Sequence, residues 1–540
     1  MSSFTKESTP VTSGVSLNAA IASATLNIVL KICLRVTTFL INAFVLRFVT
    51  RDVLGLINVR LNLLYSTTVF LSFESFRRAC LTRRSDWRRV LNLVWLSVPA
   101  SALTGFTFCL LWSRSLSAPE EHESISYVEA VWFYGLVVVV ESLAQPFIVT
   151  AQAYEFVRTK VFIEGVSKLT CGIYFAGAVF QDPGQPVLHA CIAHLLQSIV
   201  SVVAYIATFA VILSKNKSQH DVPLESWKDF APHWEAEPFL DPAQCSLVLS
   251  FFRQGILKQL LTEGERYMMT VFALLTFAEQ GVFDVVNNLG SLSARLIFQP
   301  IEEAAYSYFA LTIQREKPFK EHDPETIASL SLTLGTLLRS LSVLGLTILA
   351  FGLPYSHLLL SIYGGNILTA ADTRGPILMQ CHCFYVLLLA INGVSESFTF
   401  AAMSKKEVDR FNLKLLGLSG VFMTASLFLV HILGSPGFIL ANCVNMLLRI
   451  IHSFWFIGLR LDGGVHWQPF RHAMVGWKTL IVFLVAFLIS SSSEVWVYPW
   501  SRALHFGIGA LTFAISGGVV LYLERSVLRL RSLLEKKKEN

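Results

Sequence analysis

Apolar runs of about 20 residues, the length an α-helix needs to cross roughly 30 Å of hydrocarbon, recur from one end of this chain to the other. They are too long and too uniformly apolar for barrel strands. A backbone in hydrocarbon must also satisfy its own hydrogen bonds. The chain therefore reads as an all-α polytopic membrane protein. Its charge content agrees: 15% of the 540 residues are Asp, Glu, Lys or Arg, against about 25% in a soluble domain. Spans are expected near 18–46, 53–76, 89–113, 126–150, 158–180, 187–213, 246–275, 280–311, 327–353, 376–402, 408–432, 436–458, 472–493 and 499–523. That is about fourteen, with boundaries good to several residues. Met1 to Ser16 is polar and the first apolar stretch is too long for a cleaved h-region, so no removed signal peptide is expected. The nine cysteines lie mostly inside spans without a C-x-x-C pair, and Cys381-His-Cys383 has poor zinc spacing, so free buried thiols are expected and no metal.

An even span count puts both termini on one side of the membrane, and the alternate loops then sort by charge. One set holds Arg77-Arg78, Arg83-Arg84, Arg88-Arg89, Arg158, Lys160, Lys215, Lys217, Lys317, Lys320, Lys405-Lys406 and the tail Lys536-Lys537-Lys538. The other holds Glu120-Glu121-His122-Glu123, Gln181-Asp-Pro-Gly and Ser490 to Glu494. The split is roughly 26 to 5 lysines and arginines, which places both termini in the cytosol. On that topology the sequon Asn216-Lys-Ser218 stays unmodified. The longest polar interruption suggests five parts: 1–213 with spans one to six, a cytosolic linker at 214–245, 246–458 with spans seven to twelve, 459–523 with two more, and a basic tail at 524–540. Asp52-Val-Leu-Gly55 opens span two much as Glu279-Gln-Gly281 opens span eight, an internal echo of the kind found in transporters built from repeated lobes.

Several spans carry polar faces. With residues 281–302 taken as one helix, Asp284, Asn287, Asn288, Ser291, Arg295, Gln299 and Glu302 fall three and four apart on one side. Span one aligns Lys31, Arg35, Thr38 and Asn42. Span two has Arg60, Thr67 and Glu74 on one face and Asn58, Asn62 and Ser66 on another. Span seven aligns Gln254, Lys258, Thr262 and Glu265, with Arg266 at its edge. Span ten offers Asn392 and Glu396, and span twelve Asn442, Asn445 and Arg449. Charges at such depth line a wet cavity or pair with one another. Pairing is the expectation for Glu164 with Lys168, and a structural role for Glu74, Glu263, His189 and His194. The basic set Arg35, Arg60, Lys258, Arg266, Arg295 and Arg449 exceeds the acids expected at matching depth. Guanidinium forks suit phosphate oxygens, so the cavity is expected to take a large anion with a polar body, chiefly at Arg35, Arg60 and Arg295. Glu265, Asp284 and Glu302 are the carboxylates placed to carry a coupling proton or cation. No P-loop, H-E-x-x-H or G-x-S-x-G is present, so ATP hydrolysis, an enzymatic role, a cofactor and a nucleic-acid partner are not expected. Lys537-Lys538-Glu-Asn has the form of a di-lysine endoplasmic-reticulum retrieval signal, or of a basic flank against anionic headgroups.

Longer blocks carry a family resemblance. Lys258-Gln-Leu-Leu-Thr-Glu-Gly-Glu-Arg-Tyr, Asn287-Asn288-Leu-Gly-Ser-Leu and Ala294-Arg295-Leu-Ile-Phe-Gln-Pro-Ile-Glu302-Glu303 resemble the Rft family. So do Asn58-Val-Arg60-Leu-Asn-Leu-Leu-Tyr-Ser-Thr-Thr, Phe76-Arg77-Arg78-Ala-Cys-Leu, Leu388-Leu-Ala-Ile-Asn392-Gly-Val-Ser-Glu396, Phe400-Ala-Ala-Met-Ser-Lys-Lys-Glu-Val-Asp409-Arg410 and Gly437-Phe-Ile-Leu-Ala-Asn442-Cys. The last two spans and residues 114–125 match poorly, and nothing is carried over there. The resemblance implies a MATE/MurJ-like fold: two six-helix lobes around a central cavity, plus two C-terminal helices. It further implies a flippase moving a dolichyl-diphosphate-linked, mannose-rich oligosaccharide from the cytosolic to the lumenal leaflet of the endoplasmic reticulum for N-glycosylation. By similarity of helix position to bacterial lipid-precursor flippases, Arg35, Arg60 and Arg295 would meet the diphosphate. The alternative is a non-transporting accessory protein that binds the lipid-linked intermediate or the glycosylation enzymes. A membrane transferase would need a clustered carboxylate or histidine at the membrane face, which the sequence lacks.

Overall fold

The computed structural model describes residues 33–82, 87–116, 126–154, 156–214, 226–235, 238–314, 321–461 and 468–525, and they are helical almost throughout. Lys31, Lys537 and Lys538 lie outside the described residues. Helix α1 is Cys33–Val45 and α2 is Arg51–Thr82, the latter interrupted by π-helical turns at Leu56–Leu61 and Phe70–Glu74. Then come α3 (Trp87–Ser115), α4 (Tyr127–Ser142) and α5 (Gln145–Ala153), the last two meeting at a 45° bend. Helices α6 (Val157–Gln181) and α7 (Pro186–Ser214) follow, and after the linker α8 (Pro242–Val271). Helix α9 (Phe277–Gly290) connects through a π turn at Ala294–Phe298 to α10 (Gln299–Thr312). The chain ends with α11 (Pro324–Tyr363), α12 (Gly375–Ala402), α13 (Lys405–Leu433), α14 (Pro436–Arg460), α15 (Trp477–Trp496) and α16 (Arg502–Leu523).

Among the described residues nine helices are long and apolar enough to cross a membrane, or ten if α4 and α5 form one bent span. Helices α6 and α8 fall outside that count because charged residues interrupt them. The α9–α10 pair falls outside it because it is broken at 291–298, and α1 because it is short. The ends follow local chemistry. Ser126 with Glu129, Thr276 with Glu279, and Ser404 with Glu407 form reciprocal capping boxes that satisfy free N–H groups. Proline opens α5, α8, α10, α11, α12 and α14, where its missing N–H costs nothing. Outward faces such as Leu103, Phe106, Leu413, Phe428, Leu484 and Leu511 stay exposed, as lipid contact requires.

The two halves meet most closely where α2 and α9 begin. A Cβ at Gly55 would stand 2.0 Å from the Phe277 carbonyl oxygen, and one at Gly281 would stand 2.3 Å from that of Arg51. Only glycine permits this approach. The two segments that echo one another in sequence are thus packed face to face. Around them Leu46, Leu54 and Val59 share one buried cluster with Phe283, Val286, Leu368 and Phe438. Arg51 adds an ion pair with Asp372, 2.8 Å away and partly exposed. Helices α15 and α16 dock on α11 through Arg339 and Glu524 at 2.6 Å, Glu524 also accepting from Thr479 at 2.7 Å. Tyr355 stacks on His505 with ring centroids 4.2 Å apart.

Candidate functional site

The break after α9 creates the most unusual polar centre in the bundle. A helix that stops at Gly290 and resumes through a π turn leaves carbonyls without their regular partners. Arg295 folds back to fill this need: its Nη2 donates to the Asn288 carbonyl at 2.8 Å and to Ser291 Oγ at 2.7 Å. From the other half of the chain, Arg35 Nη1 donates to the Arg295 carbonyl at 3.1 Å. Both arginines are exposed. The Arg35 guanidinium therefore meets the α9–α10 break at the Arg295 main chain, with both side chains exposed.

Behind this pair a chain of bonds runs inward. Asn288 donates to Asp284 at 2.9 Å, and Asp284 pairs with Arg266 at 3.1 Å. Arg266 also pairs with Glu263 at 3.2 Å, and Asn442 donates to Glu265 at 3.3 Å. Arg449 meets Glu396 at 2.5 Å, and Glu396 also accepts from Asn392 at 3.0 Å. Arg266 and Arg449 thus do have acids at their depth, contrary to the excess expected from the sequence. Their charges are satisfied inside the protein, whereas among the described residues Arg35, Arg295 and exposed Lys258 form no ion pair, Lys258 Nζ lying 5.8 Å from the centre of the Phe70 ring.

Arg60 is placed differently from the expectation too. It is 1% exposed, its guanidinium lies 5.0 Å from the centre of the Phe277 ring, and its carbonyl accepts from Trp112 Nε1 at 3.3 Å. Arg60 lies in the π turn at Leu56–Leu61, where Leu56, Ile57, Val59 and Leu61 are buried as well, so it sits in the packing. The single polar face expected along 281–302 is likewise divided. Asp284 is buried, Asn287 and Ser291 are half-buried, Asn288, Arg295 and Gln299 are exposed, and Glu302 is half-buried against Gly393. Asn42 is exposed on α1, whereas Asn58, Asn62 and Asn445 are half-buried.

Among the pairs expected to be structural, Glu74 bonds Arg78 at 2.7 Å, while Glu164 pairs with Lys160 at 3.7 Å, one turn before it, where Lys168 was expected. All nine cysteines are free, and the described residues hold no group of three metal-ligating side chains. His382 instead packs on Gly290 and places Nε2 3.2 Å from the Asn287 carbonyl oxygen. One centre escaped sequence reasoning: Tyr65 donates to Glu141 beside the α4–α5 bend, and the rings of Tyr65 and Tyr134 flank His194. Glu141, set deep in an apolar span, was the signal for it.

Comparison with solved structures places the fold in the MATE/MurJ class of helical membrane proteins. Lipid II flippase MurJ in an inward closed conformation superposes with a TM-score of 0.58 at 11% identity, covering 94% of this chain and 100% of that one. A multidrug resistance MATE family transporter of the MOP superfamily, in an inward-facing conformation, gives 0.52 at 15% identity over 79% of this chain and 94% of that one. The chain belongs to the Rft family, whose model, described as Rft-1: Rft protein, matches residues 19–533. It is 42% identical to the Man(5)GlcNAc(2)-PP-dolichol translocation protein RFT1 of Xenopus tropicalis, with 93% of this chain and 94% of that protein covered. Against the protein of that name in Mus musculus it is 40% identical over 95% and 96%, and against that of Saccharomyces cerevisiae 24% over 83% and 84%.

Proposed function

We propose that this protein is a flippase that moves dolichyl-diphosphate-linked, mannose-rich oligosaccharide from the cytosolic to the lumenal leaflet of the endoplasmic reticulum membrane, supplying protein N-glycosylation. In this reading about fourteen helices form two six-helix lobes and a C-terminal pair, with both termini cytosolic. The lobes alternate access around the cavity between them without ATP hydrolysis. The names of the curated relatives, Man(5)GlcNAc(2)-PP-dolichol translocation proteins, support the substrate. The observation that carries the reading is the meeting of Arg35 and Arg295. One lies on each half of the chain, both are exposed, and the Arg35 guanidinium donates to the Arg295 main-chain carbonyl at 3.1 Å, where a diphosphate oxygen can take its place. Guanidinium forks bind phosphate oxygens in pairs, so two of them suit a diphosphate. An anion held by both halves would also link substrate binding to their relative position.

The test is translocation of a fluorescent dolichyl-diphosphate oligosaccharide by purified protein in sealed vesicles, comparing wild type with Arg35→Ala/Arg295→Ala at equal reconstitution. Protein-dependent movement that falls at least about tenfold in the double variant is expected, the loss that about 1.4 kcal/mol of binding would cause. Intact binding of the lipid with no movement above empty vesicles would overturn transport and leave an accessory protein that holds the intermediate.

A further inference from the structure

The arginine pair accounts for a diphosphate but not for the sugars, and a second cavity follows it along the same stretch of chain. A space of about 600 Å³ opens between α10 and α12, lined by Gln299, Glu302, Glu303, Tyr306, Asn392 and Phe400 among others. It begins four residues beyond Arg295. At 1.5 Å per residue Gln299 and Glu302 stand roughly 6 to 10 Å further along the axis, about where the first sugars after a diphosphate would reach.

The cavity wall offers acceptors and few free donors. The Gln299 side-chain amide donates to Glu303 at 2.8 Å, and that of Asn392 donates to Glu396 at 3.0 Å. Ser397 Oγ donates within the wall, to the carbonyls of Gly393 at 2.8 Å and Glu302 at 3.3 Å. The acidic and amide oxygens are less fully used. Asn392 is 5% exposed, and among the described residues its buried Oδ1 accepts no hydrogen bond, an unmet demand that is costly in so buried a group. Tyr306 and Phe400 supply the apolar side, with Tyr306 40% exposed. A ligand fitting this wall must bring many donors and a flat apolar face.

We infer that the α10–α12 cavity is a glycan subsite, taking a pyranose whose hydroxyls donate to Glu302 and Glu303 while a ring face packs on Tyr306 and Phe400. A bare cation would use the carboxylates but not the aromatic side, and Glu396, the most buried of the acids, is already neutralised by Arg449 at 2.5 Å. The inference rests on the flippase reading for its choice of sugar, and the two fail separately. The deciding measurement is the affinity of purified protein for dolichyl-diphosphate oligosaccharide and for glycan-free dolichyl diphosphate. Wild type would be compared with Glu303→Gln, Tyr306→Ala and Arg295→Ala, each checked for an unchanged melting temperature. Glu303 and Tyr306 are exposed, and the melting temperature checks that the packing is kept in each variant. Glu303→Gln and Tyr306→Ala should each weaken the glycolipid about tenfold, one hydrogen bond or ring contact to a charged or aromatic group, and the glycan-free lipid less than about twofold. Arg295→Ala should weaken both. Unchanged glycolipid affinity in Glu303→Gln and Tyr306→Ala would overturn the subsite while leaving the diphosphate site standing. So would a loss in those variants that appears only when Na⁺ or Mg²⁺ is supplied, which would mark a cation site. No effect of Arg295→Ala on either lipid would overturn the diphosphate reading alone.

Discussion

The arginines divide by what sits beside them. Arg449 holds Glu396, which is 8% exposed, so Arg449→Ala leaves a carboxylate unpaired in the packed interior. Breaking such a pair costs about 3–5 kcal/mol. Arg295 is exposed and serves three local acceptors, so Arg295→Ala should cost only about 1 kcal/mol. Thermal unfolding in detergent should therefore show a large fall in melting temperature for Arg449→Ala and a small one for Arg295→Ala. The double variant Arg449→Met/Glu396→Met should recover most of the loss, since an apolar pair of similar volume removes the stranded charge. Sequence spacing found these residues because charge inside an apolar span is visible from one chain position. It could not tell paired from free, because Glu396 and Arg449 are on different helices and Asp284 is 18 residues from Arg266.

At the scale of elements, the glycine contact between α2 and α9 sets how near the halves can come. Gly55→Val would press a side chain into the Phe277 carbonyl, backbone that cannot swing aside. Such a variant should fold, since each helix is intact, but hold that end of the molecule apart. Spin labels at the exposed positions Asp52 and Ala371 should broaden one another in the native protein and lose that broadening in Gly55→Val. Unchanged broadening would mean that the contact yields without separating the halves. The echo of acid and glycine before both helices was legible in the sequence, whereas its meaning was not, since periodicity carries no information on which helices cross. The π turns were hidden for a related reason. Nothing in Leu56–Leu61 or Ala294–Phe298 distinguishes five-residue from four-residue hydrogen bonding, yet Arg60 lies in the first of these turns and the second interrupts the polar face that even spacing predicts.

For the whole molecule, the membrane class followed from the apolar runs, because hydrocarbon leaves a helical chain few alternatives. The union of the two halves is what alternating access must undo. Arg51 and Asp372 bridge them at 2.8 Å near the Gly55–Gly281 crossing, with the acid largely exposed. Cysteines at both positions would fix this end closed once oxidised. The pair belongs in a Cys33→Ser background, since Cys33 is an exposed free thiol. Alternating access then requires that Arg51→Cys/Asp372→Cys lose translocation on oxidation and regain it on reduction. On the proposed function, lipid binding at Arg35 and Arg295 should persist in both states, because neither residue is part of the cross-link. Translocation that continues with the cross-link formed would exclude opening at this end, and with it the two-lobe cycle. The lipid would then have to pass along the outside of a bundle whose halves stay joined.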